Sequence, residues 1–396
     1  MTFAILNFYH SLQNFIAMSK IIVLGAGMVG SAMAIDMAGK HKVSLGDKSK
    51  DALERAKQRC SDLDTIQMDL SQKEELQSTI KDFDLVIHAG PSVLGYQTLK
   101  YIIEAGMNVV DIAFTPENVL ELNALAREKN VTAIVDCGVA PGMDNVILGY
   151  YNEIMNLTDF ECLVGGVPKV KKWPFSYKAP FAPSDVIEEY TRPARYVENG
   201  EMVVREPLTD CEYVDFERVG TLESFNSDGL RSIIHTMPHI PNMKEKTLRY
   251  PGHVEYVRVL KESGFFSTDP IDVGGAKVRP LDFTSRILFD EWKLGETEEE
   301  ITVMRVTVKG ENASGQLEEV VYTMYDEYNS GTGTSSMART TGYTATAAAN
   351  LFLDGLFSEK GVFPPELVGR HKVCFEYLLA YLKERDIIYT RSSRLL

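Results

Sequence analysis

Short β-branched runs separated by amphipathic stretches dominate the first third of the chain. Residues 20–24, KIIVL, form an apolar run that stops at Gly25, the pattern of a strand buried on both faces. Residues 28–39 then read as a helix, 42–47 (KVSLGD) as a second strand and 50–59 as a second helix. The alternation continues through a helical stretch at 71–81, strand 84–89, helix 94–105, strand 107–112, helix 116–129 and strand 131–136. Strict strand–helix alternation with short connections predicts a doubly wound parallel sheet over residues 18–145, an α/β domain of the Rossmann type.

Beyond residue 145 the period changes. Segments such as 160–167 (FECLVGGV), 301–310 and 318–328 alternate every second residue, which predicts an antiparallel sheet in a mixed α+β domain over 146–334. Residues 168–183 carry four prolines among aromatic residues and read as an extended loop. Two later segments, 337–357 and 373–387, regain a helical period, the first rich in alanine. The second domain is therefore expected as an insertion, with residues 335–396 returning as helices to the first.

Composition narrows the class. With 41 basic and 56 acidic residues the net charge is −15, a poor match for nucleic acid or an anionic membrane. No run approaches the roughly 18 apolar residues of a membrane span. Five cysteines, at 60, 137, 162, 211 and 374, show no paired spacing, which fits a reducing, cytoplasmic setting. Residues 1–17, ahead of Met18, read as an upstream extension, with a short amphipathic helix as the alternative.

Gly25-Ala26-Gly27-Met28-Val29-Gly30 follows the first strand and opens a helix, the context in which GxGxxG binds a dinucleotide. Gly25 permits the turn, Gly27 lets backbone approach a pyrophosphate, and Gly30 lets helix and strand pack. Asp47, ending the second strand, suits ribose hydroxyls and favours NAD; the neighbouring Lys48 leaves NADP possible. Asp69 is placed either at the adenine or at a helix cap. Reacting groups gather at the carboxyl ends of the strands in such sheets, which marks Ala89-Gly90-Pro91, Asp111 and Cys137. Asp111 and Cys137 are candidates for contact with substrate or nicotinamide, and Asp111 for catalysis. His235 and His239 lie four apart, but Pro238 interrupts them and no third ligand accompanies them, so no metal is expected.

The glycine loop, VDIAF around Asp111 and GVAPGMDN at 138–145 together resemble the saccharopine dehydrogenase-like family, as do VGGVPK at 164–169, KEKTLRYPGH at 244–253 and GVFPPE at 361–366. The resemblance spans about residues 20–390. It implies an NAD(P)-dependent dehydrogenase acting on CH–NH2 or CH–NH groups of a small amino-acid substrate, and a homodimer. Saccharopine reductases carry P-N-R-D-S where this chain has Ser224–Arg231, so Ser227 stands in place of their arginine. The DGLR form and the run at 177–200 are similar to lysine 6-dehydrogenases. A saccharopine or carboxynorspermidine-type condensing reductase, and a non-catalytic nucleotide sensor, are the alternatives. A substrate carboxylate needs a guanidinium fork, for which Arg231 and Arg249 are the candidates, with Asp228 and Tyr177 also at the substrate. His253 is a candidate base through its near-neutral pKa. Lys246 is another, if burial lowers its pKa.

Overall fold

The computed structural model describes residues 18–179, 183–295 and 297–396; the expectation for residues 1–17 lies outside them. The first sheet holds β1 (Lys20–Leu24), β2 (Lys42–Asp47), β3 (Asp64–Gln67), β4 (Leu85–His88), β5 (Val109–Asp111) and β6 (Thr132–Ile134). All pair in parallel, in the order 6-5-4-1-2-3. Order reverses between β1 and β4, and there a crevice opens at the carboxyl ends of the strands. Successive side chains of β1 enter opposite cores: Ile21 and Val23 one, Ile22 and Leu24 the other. That is why its five residues contain no polar alternation.

The connecting helices are α1 (Met28–Ala38), α2 (Lys50–Arg59), α3 (Lys73–Ile80), α4 (Ser92–Glu104) and α5 (Asn123–Glu128). The helix expected over 116–129 divides. Asn118 accepts the N–H of Leu120 and starts a 3-10 turn at Val119–Leu122, and α5 follows.

Helix α6 (Met143–Asn152) leads into the second sheet: β7 (Met155–Pro168), β8 (Ala194–Glu198), β9 (Glu201–Arg205), β10 (Glu212–Phe216), β11 (Gly220–Asn226) and β12 (Asn242–Arg249). Helices α7 (Pro183–Thr191) and α8 (Ile233–Thr236) lie in the connections. A hairpin, β13 (Ile271–Val273) and β14 (Ala276–Val278), lies between α9 (His253–Glu262) and α10 (Pro280–Trp292). Strands β15 (Glu300–Asn312) and β16 (Leu317–Glu327) complete the long antiparallel ladder beside β7. One pair departs from the antiparallel expectation: β12 runs parallel to β7, as the long crossover between them permits.

After the second sheet come α11 (Ser336–Leu353), β17 (Gly361–Phe363), α12 (Pro365–Gly369), α13 (Lys372–Lys383) and β18 (Tyr389–Leu395). This segment is more than the expected pair of helices. Strand β17 adds to the edge of the first sheet beside β6, and β18 adds to the second beside β16. Helix α11 is buried along nearly its whole length. Its small residues allow close approach to α1, where a Cβ on Gly342 would stand 3.0 Å from Met33. Several of its hydroxyls are satisfied locally: Thr340 donates to Ser336 O (3.0 Å), Thr344 to Thr340 O (2.8 Å), and Thr346 to Asp36 Oδ2 of α1 (2.6 Å), so a threonine-rich helix can be buried. One apolar core runs from Val23 and Met33 through α11 to Met304 and Val306 of the second sheet. Among the described residues no helix is long and apolar enough to cross a membrane.

Helices α6 and α12 meet through glycines. A Cβ on Gly149 would lie 2.1 Å from Glu366 O, and one on Gly369 2.3 Å from Val146 O. Gly149→Val is expected to lower the unfolding free energy by about 1–3 kcal/mol, the usual cost of overpacking, measured as a lower denaturant midpoint. An unchanged midpoint would show that this contact yields.

Candidate functional site

Glycine geometry makes the first wall. Gly25 has φ +107° and donates its N–H to Gly46 O (2.7 Å). A Cβ there would lie 2.4 Å from Ala89 O, and one on Gly30 only 1.9 Å from Gly25 O. These two glycines are required by the protein itself. Gly27 differs, since an added Cβ would meet nothing within 4 Å. It caps α1 without a side-chain bond, so the first-turn N–H groups face outward, as an anion cradle requires. Asp47 holds this loop: Oδ2 accepts the N–H of Ala26 (2.7 Å) and Oδ1 that of Ser49 (2.7 Å). Lys48 beside it is exposed. Asp69 accepts both the N–H (2.9 Å) and the hydroxyl (2.8 Å) of Ser71. Those bonds hold its carboxyl below the usual range, and Asp69 anchors the turn before α3.

A cleft of about 410 Å3 separates this wall from the second sheet. Gly27–Gly30, Ala89–Ser92, Ile112–Phe114 and Gly138–Pro141 line one side. The other side is set by the period of a single strand. Glu245, Thr247 and Arg249 alternate along β12 and all reach the cleft, because every second residue of a strand shares a face. Arg249 donates to Glu189 Oε2 (2.7 Å) and Tyr177 Oη (3.3 Å), and its guanidinium stacks 4.3 Å from the Tyr177 ring centre. Arg192, paired with Glu188, stands in the same wall. Asp228 is bound by Arg195 at 2.9 and 2.8 Å. Ser227 accepts the hydroxyl of Thr247 (2.8 Å), a neutral pair on the cleft wall.

Of the expected substrate groups, Arg249, Tyr177 and Asp228 line this cleft. Others are used elsewhere, for visible reasons. Lys246 has the wrong parity: it faces away from the cleft residues of β12, donating to Asp210 O (2.6 Å) near Glu212. The buried His253 donates from Nδ1 to Phe175 O (3.0 Å) and accepts from Tyr190 Oη (2.9 Å). Burial and then the charge of Arg249 push its pKa down to about 3. Both ring nitrogens are thus engaged behind the cleft wall, and the lowered pKa makes the ring a weak acceptor of a proton. Arg231 is not a free fork: it binds Asp136 at 3.0 and 3.3 Å and Thr115 O at 2.6 Å, joining the second domain to the first. Cys137 is buried and its thiol is pushed up to about 12, first by burial, so it stays protonated. Asp111 is also fully buried, accepting from Ala113 N–H (3.1 Å) and from Nδ1 of His88 (2.7 Å), whose ring lies against Gly90. Its place is below the cleft wall.

Sequence reasoning passed over Glu245, Thr247, Arg192, Glu189 and His88. Strand alternation in KEKTLR could have found the first two, once Arg249 was placed in the cleft.

Two family models match the chain: the saccharopine dehydrogenase NADP binding domain over residues 21–134, and the saccharopine dehydrogenase C-terminal domain over 138–388. The chain belongs to the saccharopine dehydrogenase family, an oxidoreductase family that uses a nicotinamide dinucleotide. It is 24% identical to carboxyaminopropylagmatine dehydrogenase of Synechocystis sp., over 88% of this chain and 92% of that one. Against the saccharopine dehydrogenase (NADP+, L-glutamate-forming) of Saccharomyces cerevisiae it is 22% identical over 87% and 93%. It spans about half (48%) of the rat alpha-aminoadipic semialdehyde synthase, at 22% identity over 96% of this chain. The solved structure of the apo yeast saccharopine dehydrogenase shares the fold, with a TM-score of 0.77 at 19% identity, covering 95% of this chain and all of that one. The description of the first domain favours NADP over the NAD expected from Asp47.

Because a Cβ at position 27 meets no protein atom, Gly27→Val is expected to keep the melting temperature. It should weaken dinucleotide binding roughly 30-fold or more, about 2 kcal/mol, by calorimetric titration. Wild-type affinity in the folded variant would exclude this loop as the pyrophosphate site.

Proposed function

We propose that this member of the saccharopine dehydrogenase family oxidises the ε-amine of lysine, taking up a nicotinamide dinucleotide at Gly25–Gly30. One observation carries the reading: a single cleft has the uncapped helix N-terminus on one wall and the Arg249 guanidinium on the other. A carboxylate leaving water for a cleft needs such a partner. Ser227 and Thr247 form a neutral patch beside it, which suits a substrate without a second carboxylate there. When bound, the dinucleotide supplies the hydride acceptor. The chain's residues hold the amino acid and exclude water.

NADP is the form the matched domain favours. Asp47 does not oppose it, since each of its oxygens already holds a backbone N–H and its charge is partly compensated. Lys48 stands beside the strand end as a cation. A second reading, reductive condensation of an aldehyde with an amino compound, is supported by the names of the relatives. The two separate in one assay, which compares dinucleotide reduction with lysine alone and NADPH oxidation with an amino acid plus an aldehyde. Reduction with lysine alone supports the first reading, and reaction only with the pair replaces it with the second.

Arg249→Met is expected to raise KM for lysine by roughly 30- to 1000-fold, the worth of one charge-assisted fork, with dinucleotide affinity unchanged. An alkylamine lacking the carboxylate should be insensitive to the change. Equal losses on both amines would make Arg249 structural. For the cofactor, Lys48→Glu should lower kcat/KM for NADP about tenfold more than for NAD, about 1.4 kcal/mol; equal effects would remove Lys48 from the 2′-phosphate site.

A further inference from the structure

Behind the cleft wall lies a pair of carboxyl groups that the reading above does not use. Glu245, on β12, lines the cleft. Asp144, at the start of α6, lies deeper. One donor atom each of Asp144, Glu245 and the Cys162 thiol fall within 4.8 Å of one another, and all three residues are buried. Asp144 Oδ1 accepts the N–H of Gly142 (2.9 Å) and the Cys162 thiol lies against the Asp144 carboxyl, whereas among the described residues Asp144 Oδ2 and Glu245 Oε2 have no hydrogen-bond partner within normal distance. Arg231 is the cation that lowers Glu245 among its leading influences, and it already donates to Asp136 and Thr115. The Glu245 carboxyl lies over Gly229: a Cβ there would stand 1.9 Å from Oε1. Gly229 is itself a cleft residue, so the carboxyl sits where the wall has been kept thin.

Two unpaired carboxylates this close and this dry do not both ionise; such a pair holds a proton between them. Burial is the largest cause raising each of them, and the charge of Asp144 is the next for Glu245. An ordinary carboxylate is too weak a base for an ammonium, and a raised one narrows the gap.

We propose that Glu245 takes the proton from the substrate ammonium, with Asp144 holding the shared proton meanwhile. The N–H bond breaks and its electron pair stays on nitrogen, leaving a neutral amine. A lone pair of the Glu245 carboxylate forms the new O–H. The pair gains one proton, the substrate loses one positive charge, and no further reactant is needed. The inference rests on the amine-oxidising reading for the identity of the substrate.

Glu245 is faced by Asp144 from α6, Cys162 from β7, Glu189 from α7, and Asp228 and Arg231 from the loop after β11. Tyr196 of β8 donates to its backbone oxygen (2.6 Å), and Tyr389 of β18 and Glu366 of α12 face Asp144. Of these, Asp144 is the one whose removal is expected to move the pair's titration most. The active form keeps the shared proton on Asp144, so Asp144→Asn removes the acid O–H that stabilises the Glu245 carboxylate; an amide is the weaker donor, and the limb on which kcat rises with pH should move to higher pH.

The test uses the full chain. Glu245→Gln is expected to lower kcat roughly 100- to 10,000-fold, with KM for lysine changed less than about threefold and dinucleotide affinity intact. Asp144→Asn should keep much of kcat but shift the acid limb up by about one pH unit. A kcat within about threefold of wild type in Glu245→Gln, or an unmoved limb in Asp144→Asn, overturns the proposal. If the wild-type protein oxidises no amine, the functional reading fails by itself. The infrared C=O stretch of a protonated carboxyl then decides alone. Its presence in wild type at neutral pH, with its loss in Glu245→Gln, supports the assignment, and its absence from wild type overturns it.

Discussion

The close approach of helix α11 to both sheets sets the geometry of everything around the cleft. Its alanines, glycine and back-bonded threonines let it lie against α1 on one side and β15 on the other. Apolar burial, at about 25 cal/mol per Å2, therefore acts across the domain boundary, in the one core that contains Val23 and Met304. Protein interiors transmit displacement because they are close-packed. A bulkier helix here would widen the cleft between Gly27 and Arg249, and neither wall could then be read from its own domain.

Charge inside the molecule follows a division of labour. Arg231 and Asp136 are buried and matched oxygen to nitrogen, and they tie the second domain to the first. Removing one partner of such a pair typically costs about 3–5 kcal/mol. Arg249 and Glu189 are matched too, but at the cleft wall, where an incoming carboxylate can compete for the guanidinium. Among the described residues Glu245 and Asp144 form no ion pair, and Arg231, which acts on Glu245 from a distance, is given to Asp136. The three arrangements differ in what they leave open: a closed joint, a guanidinium facing a cleft, and a carboxyl pair free to share a proton.

The fold was largely legible because the period of the first third is unambiguous. KIIVL, KVSLGD and VTAIVD are strands by any reading of their apolar positions, and the glycine loop sits where strand turns into helix. The parallel β7–β12 pair was hidden, since long-range pairing leaves no trace in local alternation. The site was legible only in part. Arg231, His253 and Lys246 are recognisable by chemical type, yet type says nothing of direction. Lys246 and Arg249 lie three apart on one strand and so face opposite ways. Arg231 has the right chemistry, but its positive φ of 48° and the partner waiting at the end of β6 belong to the folded chain alone.

Strand β17 carries a consequence for the order in which the protein can be made. Its three residues, Gly361–Phe363, close the edge of the first sheet against Thr132–Ile134, more than two hundred residues upstream. The ribosome releases the glycine loop and the six strands around it long before it releases that edge. Until then β6 presents unpaired backbone at the sheet margin, the kind of surface that invites pairing with another chain. Contacts of such sequence separation form late and slowly. The nascent first domain therefore waits, incomplete, for a piece of itself that is translated after all of the second sheet except its last strand, β18.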